Sequence, residues 1–243
     1  MIGLLAIACD CGDDGMDTQK EPHDGRSASP GERAARLSPV RRHYFRVARR
    51  LLSEERGAER TEALLADAHR HYDHLLRHTP QHRNWAERQA YEFGAFGLAL
   101  YRALRDEGVE QDAAVDLVAR LVWEPVKLVG SIVSAYRYAP SPMALWKATV
   151  KLDARTYHGP PGWQYRWLGP GRDWDFGFDV TRCAYCEYFK QMAAPEVARA
   201  YCEGDNVIAE RLKPAIEFRR TRTLATGGDC CDFRYRRGES RGR

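Results

Sequence analysis

The feature that most constrains this chain is a change of period near residue 158. Before that point apolar residues recur at helical spacing, and after it they alternate. Residues 60–79 predict one helix, closed by Pro80. Residues 84–107 predict the clearest one, with Phe93, Phe96, Leu100 and Leu104 on one face and Gly108 as its stop. Residues 110–138 predict a long apolar helix kinked at Pro125. Val118, Leu121, Val122, Val129, Ile132, Val133 and Tyr136 share its face. A further helix is expected over 142–153. Beyond it, residues 163–168 read as a strand. Residues 173–180 alternate strictly, with Trp174, Phe176, Phe178 and Val180 against Asp173, Asp175, Gly177 and Asp179, the pattern of a half-buried strand. A helix is expected over 183–192 and another from Pro195 to Leu212. Residues 216–225 and 230–236 predict a hairpin around Thr226-Gly227-Gly228-Asp229. The fold class is therefore α+β, an N-terminal helical bundle packed on a C-terminal antiparallel sheet with crossing helices.

Composition sets the outer limits. A chain of 243 residues, 44% hydrophobic and 30% charged, has the make-up of a globular protein large enough to fold without staples. The net charge of +4 is too balanced to call for nucleic acid. No stretch reaches the ~18–20 apolar residues that cross a bilayer. The longest candidate, from Val126 to Tyr138, carries Lys127 and Arg137. Residues 1–38 read as a disordered acidic leader, 39–157 as the helical region, 158–237 as the sheet with two helices carrying the site, and 238–243 as a basic tail. Ser38-Pro39 has the form of an N-cap and first-turn proline. The start lacks a basic region and is too short for an export signal, and the seven cysteines are odd in number. Free thiols and a cytoplasmic location are expected.

Several residues carry chemistry. On the helix ending at Leu212 the apolar face runs Ala198, Tyr201, Cys202, Ala209 and Leu212, and Asp205 falls on it. A carboxylate aimed into a core costs several kcal/mol unless it is paired. Asp205 is thus either an edge residue or a site carboxylate acting as base or cation anchor. Cys183 follows a strand and sits at the first turn of a helix, where the dipole and free N–H groups favour thiolate, with Arg182 as a helper. The bland alternative is a small buried hydrophobe. Cys183 and Cys186 form a C-x-x-C, but no second pair completes a zinc ribbon, because the side chains of adjacent Cys230 and Cys231 point to opposite faces of a strand. Arg220, in the row Ile216, Phe218, Arg220, Arg222, Leu224, suits an anion held bidentately or a cross-strand pair with Asp232. In the run His69, His71, His74, His78 and His82, the row His71, His74 and His78 reads as a solvated helix flank, and Pro80 breaks the register before His82. No metal or cofactor is called for.

The C-terminal residues resemble the L-2-amino-thiazoline-4-carboxylic acid hydrolase family. The segments that carry the resemblance are Phe178-Asp179-Val180-Thr181-Arg182-Cys183-Ala184-Tyr185, Cys202 with Asp205, Arg220-Thr221-Arg222-Thr223, Gly228, and Cys231-Asp232-Phe233-Arg234-Tyr235-Arg236. Tyr72 to Pro80, Asn84, and Ala99 to Leu104 ahead of Gly108 fit more loosely, so that the likeness spans roughly residues 70–237. It implies a hydrolase opening a cyclic amidine of the 2-aminothiazoline-4-carboxylate type. Cys183 or Cys231 is the nucleophile, with Cys183 preferred, and Asp205 is the amidinium partner and proton carrier. Arg220 holds the substrate carboxylate, with Thr223, Cys202 and Asp232 also in substrate binding. The expected partner is a small molecule with a carboxylate, with neither nucleic acid nor membrane, and a homodimer is compatible. Cys186 stands where the family pattern has a small residue, and Cys230 is extra. These departures leave room for a related tailoring enzyme of small-molecule biosynthesis. A non-catalytic ligand-binding domain similar to the 4-vinyl reductase domain is the other alternative, and a metal-binding structural protein a weaker one.

Overall fold

The computed structural model describes residues 39–79, 82–124 and 127–238, without the side chains of 39, 40 and 127–129. The expected leader, Ser38, the two breaking prolines Pro80 and Pro125, the Val129 side chain and the tail beyond Gly238 lie outside these. Among the described residues the order is α1 (Pro39–Arg56), α2 (Ala58–Arg77), α3 (Trp85–Asp106), α4 (Gln111–Trp123), α5 (Lys127–Ala135) and α6 (Pro142–Tyr157). Then follow β1 (Gln164–Leu168), β2 (Phe176–Arg182), α7 (Ala184–Gln191), α8 (Ala198–Leu212), β3 (Ile216–Arg219) and β4 (Cys231–Arg237). The four strands form one antiparallel sheet in the order β1-β2-β4-β3. The α+β class is thus the observed one.

Helix α3 is the axis of the molecule. Its N-cap Asn84 accepts the Glu87 N–H at 2.9 Å. At the other end Gly108, at φ +83°, lets the Val109 N–H return to the Leu104 carbonyl at 3.0 Å. Phe93, Phe96, Leu100 and Leu104 are buried as the periodicity requires, but so is nearly every residue from Gln89 to Leu104. The helix is covered all round, because α1, α2 and α4 pack on one side and α6 and α7 on the other. At Gly97 a Cβ would stand 2.3 Å from the Tyr201 hydroxyl, so only glycine lets α8 come this close. The Tyr201 hydroxyl donates to the Phe93 carbonyl at 2.6 Å.

Three expectations are corrected. The long helix over 110–138 is two helices, α4 and α5, followed by a 3-10 turn at Tyr136–Tyr138. Ile132, placed on its buried face, is 45% exposed. The strand over 173–180 starts later, at Phe176, and is not half-exposed. Phe176, Gly177, Phe178, Asp179 and Val180 are all buried, because the side chains of Arg166 and Arg234 on the flanking strands close over the polar face. The hairpin's first strand ends at Arg219 rather than reaching residue 225. Asp232 captures the backbone N–H groups of Thr221 and Arg222 at 2.8 and 2.6 Å and pulls that segment out of the ladder. Of the histidines, His74 and His78 are exposed, while His69 stacks on Phe45 at 3.9 Å.

Asp179 anchors the outer face of the sheet. Burial alone would raise its pKa, but hydrogen bonds from Arg166 at 2.6 Å and Arg234 at 2.8 Å outweigh burial and hold it below the ordinary carboxylate value. A folded-state pKa below the unfolded one gives stability present above the unfolded value and lost as pH falls through the folded one. Asp179→Asn is therefore expected to lower stability at neutral pH by about 2–4 kcal/mol, since it leaves the largely buried Arg234 without its charge partner. Melting curves run from pH 7 down to pH 3 should show a smaller acid loss in the variant than in the native chain. Equal losses would remove Asp179 from this role.

Candidate active site

Inside the curl of the sheet lies a cavity of about 90 Å³, room for a small molecule rather than a chain. Its floor is the inner sheet face, where Tyr165 pairs Val180, Val180 pairs Cys231, and Phe178 stacks on Phe233 at 4.8 Å. Helix α8 supplies one wall with Tyr201, Cys202, Asp205 and Ile208. Helix α6 adds Val150 and Asp153, α4 adds Trp123, and the start of α7 adds Cys183 and Tyr185. A wider open cleft of about 750 Å³ runs past Arg137, Met143, Pro214 and Arg237. Among the described residues its wall holds neither thiol nor carboxylate, so the smaller aromatic cavity is the candidate site.

Cys183 ends the extended segment from β2 and is the N-cap of α7, with its carbonyl accepting the Glu187 N–H at 3.1 Å. Its sulfur makes no close capping hydrogen bond, yet its thiol pKa lies below the ordinary value. The Cys186 thiol and the N–H groups of Cys186 and Tyr185 hold the thiolate against the opposing effect of burial. Cys186 correspondingly keeps its proton. Arg182 gives no help to this thiol, because its guanidinium donates to the Pro161 carbonyl at 2.6 Å. The other two cavity thiols are shifted the opposite way. Burial pushes Cys202 well up, and it pushes Cys231 up to about 12 despite the Leu224 N–H at 3.3 Å from its sulfur.

Asp205 reaches the cavity from α8. Burial raises its carboxyl pKa, and the Arg220 guanidinium restrains the rise by donating to it at 2.6 Å. The same guanidinium gives its other nitrogen to the Cys202 carbonyl at 3.1 Å and lies over the Phe233 ring. Arg220 therefore pairs across to α8, not along the hairpin with Asp232. Asp232 and Cys230 face the opposite side of the sheet from Cys231, as adjacent strand residues must. Asp232 holds Thr221 and Arg222 and thereby fixes the position of Arg220 just before them. Thr223 caps the 3-10 turn at Leu224–Thr226 and shares a hydrogen bond with Thr226 at 2.9 Å, away from the cavity wall. Of the residues singled out in the sequence, then, the fold brings Cys183, Cys202, Asp205 and Cys231 to the cavity. Arg220 stands behind Asp205, and Thr223 and Asp232 lie outside.

Asp153 was missed. It lies on the row Trp146, Val150, Asp153, Tyr157 of α6, a carboxylate on an apolar stripe, which is the same signal that singled out Asp205. Tyr185 is a second addition: it lines the cavity, and its buried hydroxyl has no hydrogen-bond partner among the described residues. Among the described residues no three His, Cys, Asp or Glu side chains are grouped so as to hold a metal ion.

The arrangement of a cap-position thiol, a carboxylate of raised pKa and an aromatic box is the setting of comparisons with known proteins. The family model of L-2-amino-thiazoline-4-carboxylic acid hydrolase matches residues 87–235. The chain belongs to this family. The match takes in the quoted residues from Ala99 to Tyr235, and it leaves out Tyr72 to Pro80, Asn84 and Arg236. No curated protein and no solved structure matches the chain. Among the described residues no helix is long and apolar enough to cross a membrane.

Two outcomes check the site. Iodoacetamide in excess should modify Cys183 of the folded protein first, with a pH–rate midpoint below the ~8.5 of a free thiol, while Cys202 and Cys231 react only on unfolding. Equal rates at the three would refute the polarisation described here. At Gly204 a Cβ would stand 2.1 Å from the Trp123 ring, so Gly204→Ala should displace Trp123 into the cavity and cost about 1–3 kcal/mol of stability by overpacking. Intrinsic tryptophan fluorescence and thermal melting read both effects.

Proposed function

We propose that this chain is a hydrolase opening a small cyclic amidine of the 2-aminothiazoline-4-carboxylate type, with Cys183 as nucleophile. The observation that carries the reading is the contrast among the cavity thiols. Cys183 is held toward thiolate at a helix N-cap, while Cys202 and Cys231 are held neutral by burial. The ring carbon between sulfur and nitrogen is electrophilic once the amidine is protonated. Asp205 and Asp153 supply carboxylates for that planar cation, and the aromatic walls supply its flat slot. Arg220, already shared between Asp205 and the Cys202 carbonyl, is the cation this reading assigns to the substrate carboxylate.

The steps balance. The Cys183 sulfur adds to the ring carbon, and the tetrahedral adduct breaks its ring C–S bond as the Asp205 carboxylate takes a proton from the adduct nitrogen and passes it to the departing sulfur. Water, deprotonated by the same carboxylate, then attacks the carbon held on Cys183. The enzyme C–S bond breaks, and a carbamoyl-cysteine leaves. A carboxyl group of raised pKa suits both halves of this proton traffic.

The test is mass-detected ring opening of L-2-aminothiazoline-4-carboxylate. Cys183→Ala should fall to background, and Asp205→Asn should lose about 10²–10⁴-fold in kcat. Asp153→Asn should act mainly on KM, about tenfold for a loss of ~1.4 kcal/mol in binding. Turnover retained in Cys183→Ala would move the attack to Cys231 or to water activated by Asp205. No turnover by the native chain would overturn the substrate class.

A further inference from the structure

The hydrolytic reading uses Cys186 only as a hydrogen-bond donor to Cys183. Cys183 caps α7, and the Glu187 N–H on its carbonyl closes the first turn. Cys186 is the third residue of that turn. The N-cap side chain folds over the first turn toward the N3 position, as in a capping box, so a Cys-X-X-Cys whose first residue is the N-cap brings its two thiols together at the helix start. Their surroundings differ. Cys183 lines the cavity and Cys186 does not, although both are half-buried against the core. A thiol at a cavity with a second thiol beside it on the same helix start is the arrangement of an attacking and a resolving cysteine.

We propose that Cys183 and Cys186 form a peroxide-sensitive dithiol whose disulfide reversibly closes the cavity to its own chemistry. The Cys183 thiolate attacks one oxygen of hydrogen peroxide. The O–O bond breaks, the departing hydroxide takes a proton, and Cys183 becomes a sulfenic acid. The Cys186 sulfur then attacks the sulfenic sulfur. An S–S bond forms, the S–O bond breaks, and the hydroxyl leaves as water with the Cys186 proton. Two thiols are oxidised and one peroxide is reduced to two waters. A dithiol reductant reverses the bond by exchange. The loss of turnover on oxidation rests on Cys183 being the nucleophile, whereas the disulfide itself does not.

Trypsin cuts after Arg182 and Lys190 and so releases both cysteines in one peptide, Cys183 to Lys190. The full chain is treated with hydrogen peroxide, alkylated with iodoacetamide, digested and weighed. The expected peptide is lighter by two hydrogens and carries no alkyl group, and dithiothreitol before alkylation restores both sites. In Cys186→Ser the reversible protection should be lost, with Cys183 trapped by dimedone as sulfenic acid and passing on to sulfinic acid. A fully alkylated peptide after peroxide, or Cys183 joined instead to the peptide of Cys202 or Cys231, would overturn the proposal. The readout is mass, not turnover. A disulfide formed in a chain that never opens the thiazoline ring would therefore sink the hydrolase reading and leave the dithiol standing.

Discussion

Helix α8 can lie where it does only because two positions lack a side chain. Gly97 on α3 leaves room for the Tyr201 ring, and Gly204 on α8 itself leaves room for Trp123. Each contact is also a polar one: Tyr201 donates to the Phe93 carbonyl, and the Trp123 Nε1 donates to the Ala200 carbonyl at 2.6 Å. Close packing holds α8 against sliding, since interiors have little free volume. Cys202 and Asp205 stand on this helix between Tyr201 and Ile208, so the geometry of the cavity wall depends on the same two glycines.

The sheet divides the electrostatics of the molecule. On its inner face aromatic rings and thiols make a poorly hydrated cavity, in which burial raises the Asp205 carboxyl and the Cys202 and Cys231 thiols. On its outer face Asp179 and Asp232 are held below the ordinary carboxylate value, because arginine, threonine and backbone donors outweigh their burial. Strand residues one apart therefore have opposite chemistry: Cys231 is protonated, and its neighbour Asp232 is ionised. Asp232 serves the inner face from outside. By fixing Thr221 and Arg222 it places Arg220, and Arg220 in turn restrains Asp205.

Local signals were read well where one physical cause acts alone. The stop of α3 at Gly108, the inward row of β2 and the N-cap position of Cys183 all follow from neighbouring residues. Readings failed where a distant segment intervened. The polar row of β2 looks solvated until Arg166 and Arg234 fold over it. The hairpin strand looks long until Asp232 removes Thr221 and Arg222 from the ladder. In the sequence Arg220 suits a bound anion or a cross-strand pair with Asp232, whereas the partner it takes, Asp205, lies fifteen residues away on a helix. Asp153 carried the same periodic signal as Asp205 and could have been found by the same argument.

The sequence by itself determined the α+β class, the order of the main elements, and the family, because periodicity, caps and motif residues are properties of short segments. Only the tertiary structure decided which thiol is polarised, which partner Arg220 takes, and that α6 contributes a second carboxylate to the cavity. These depend on desolvation and on charges brought close across the core, and neither is set until the helices and the sheet have packed.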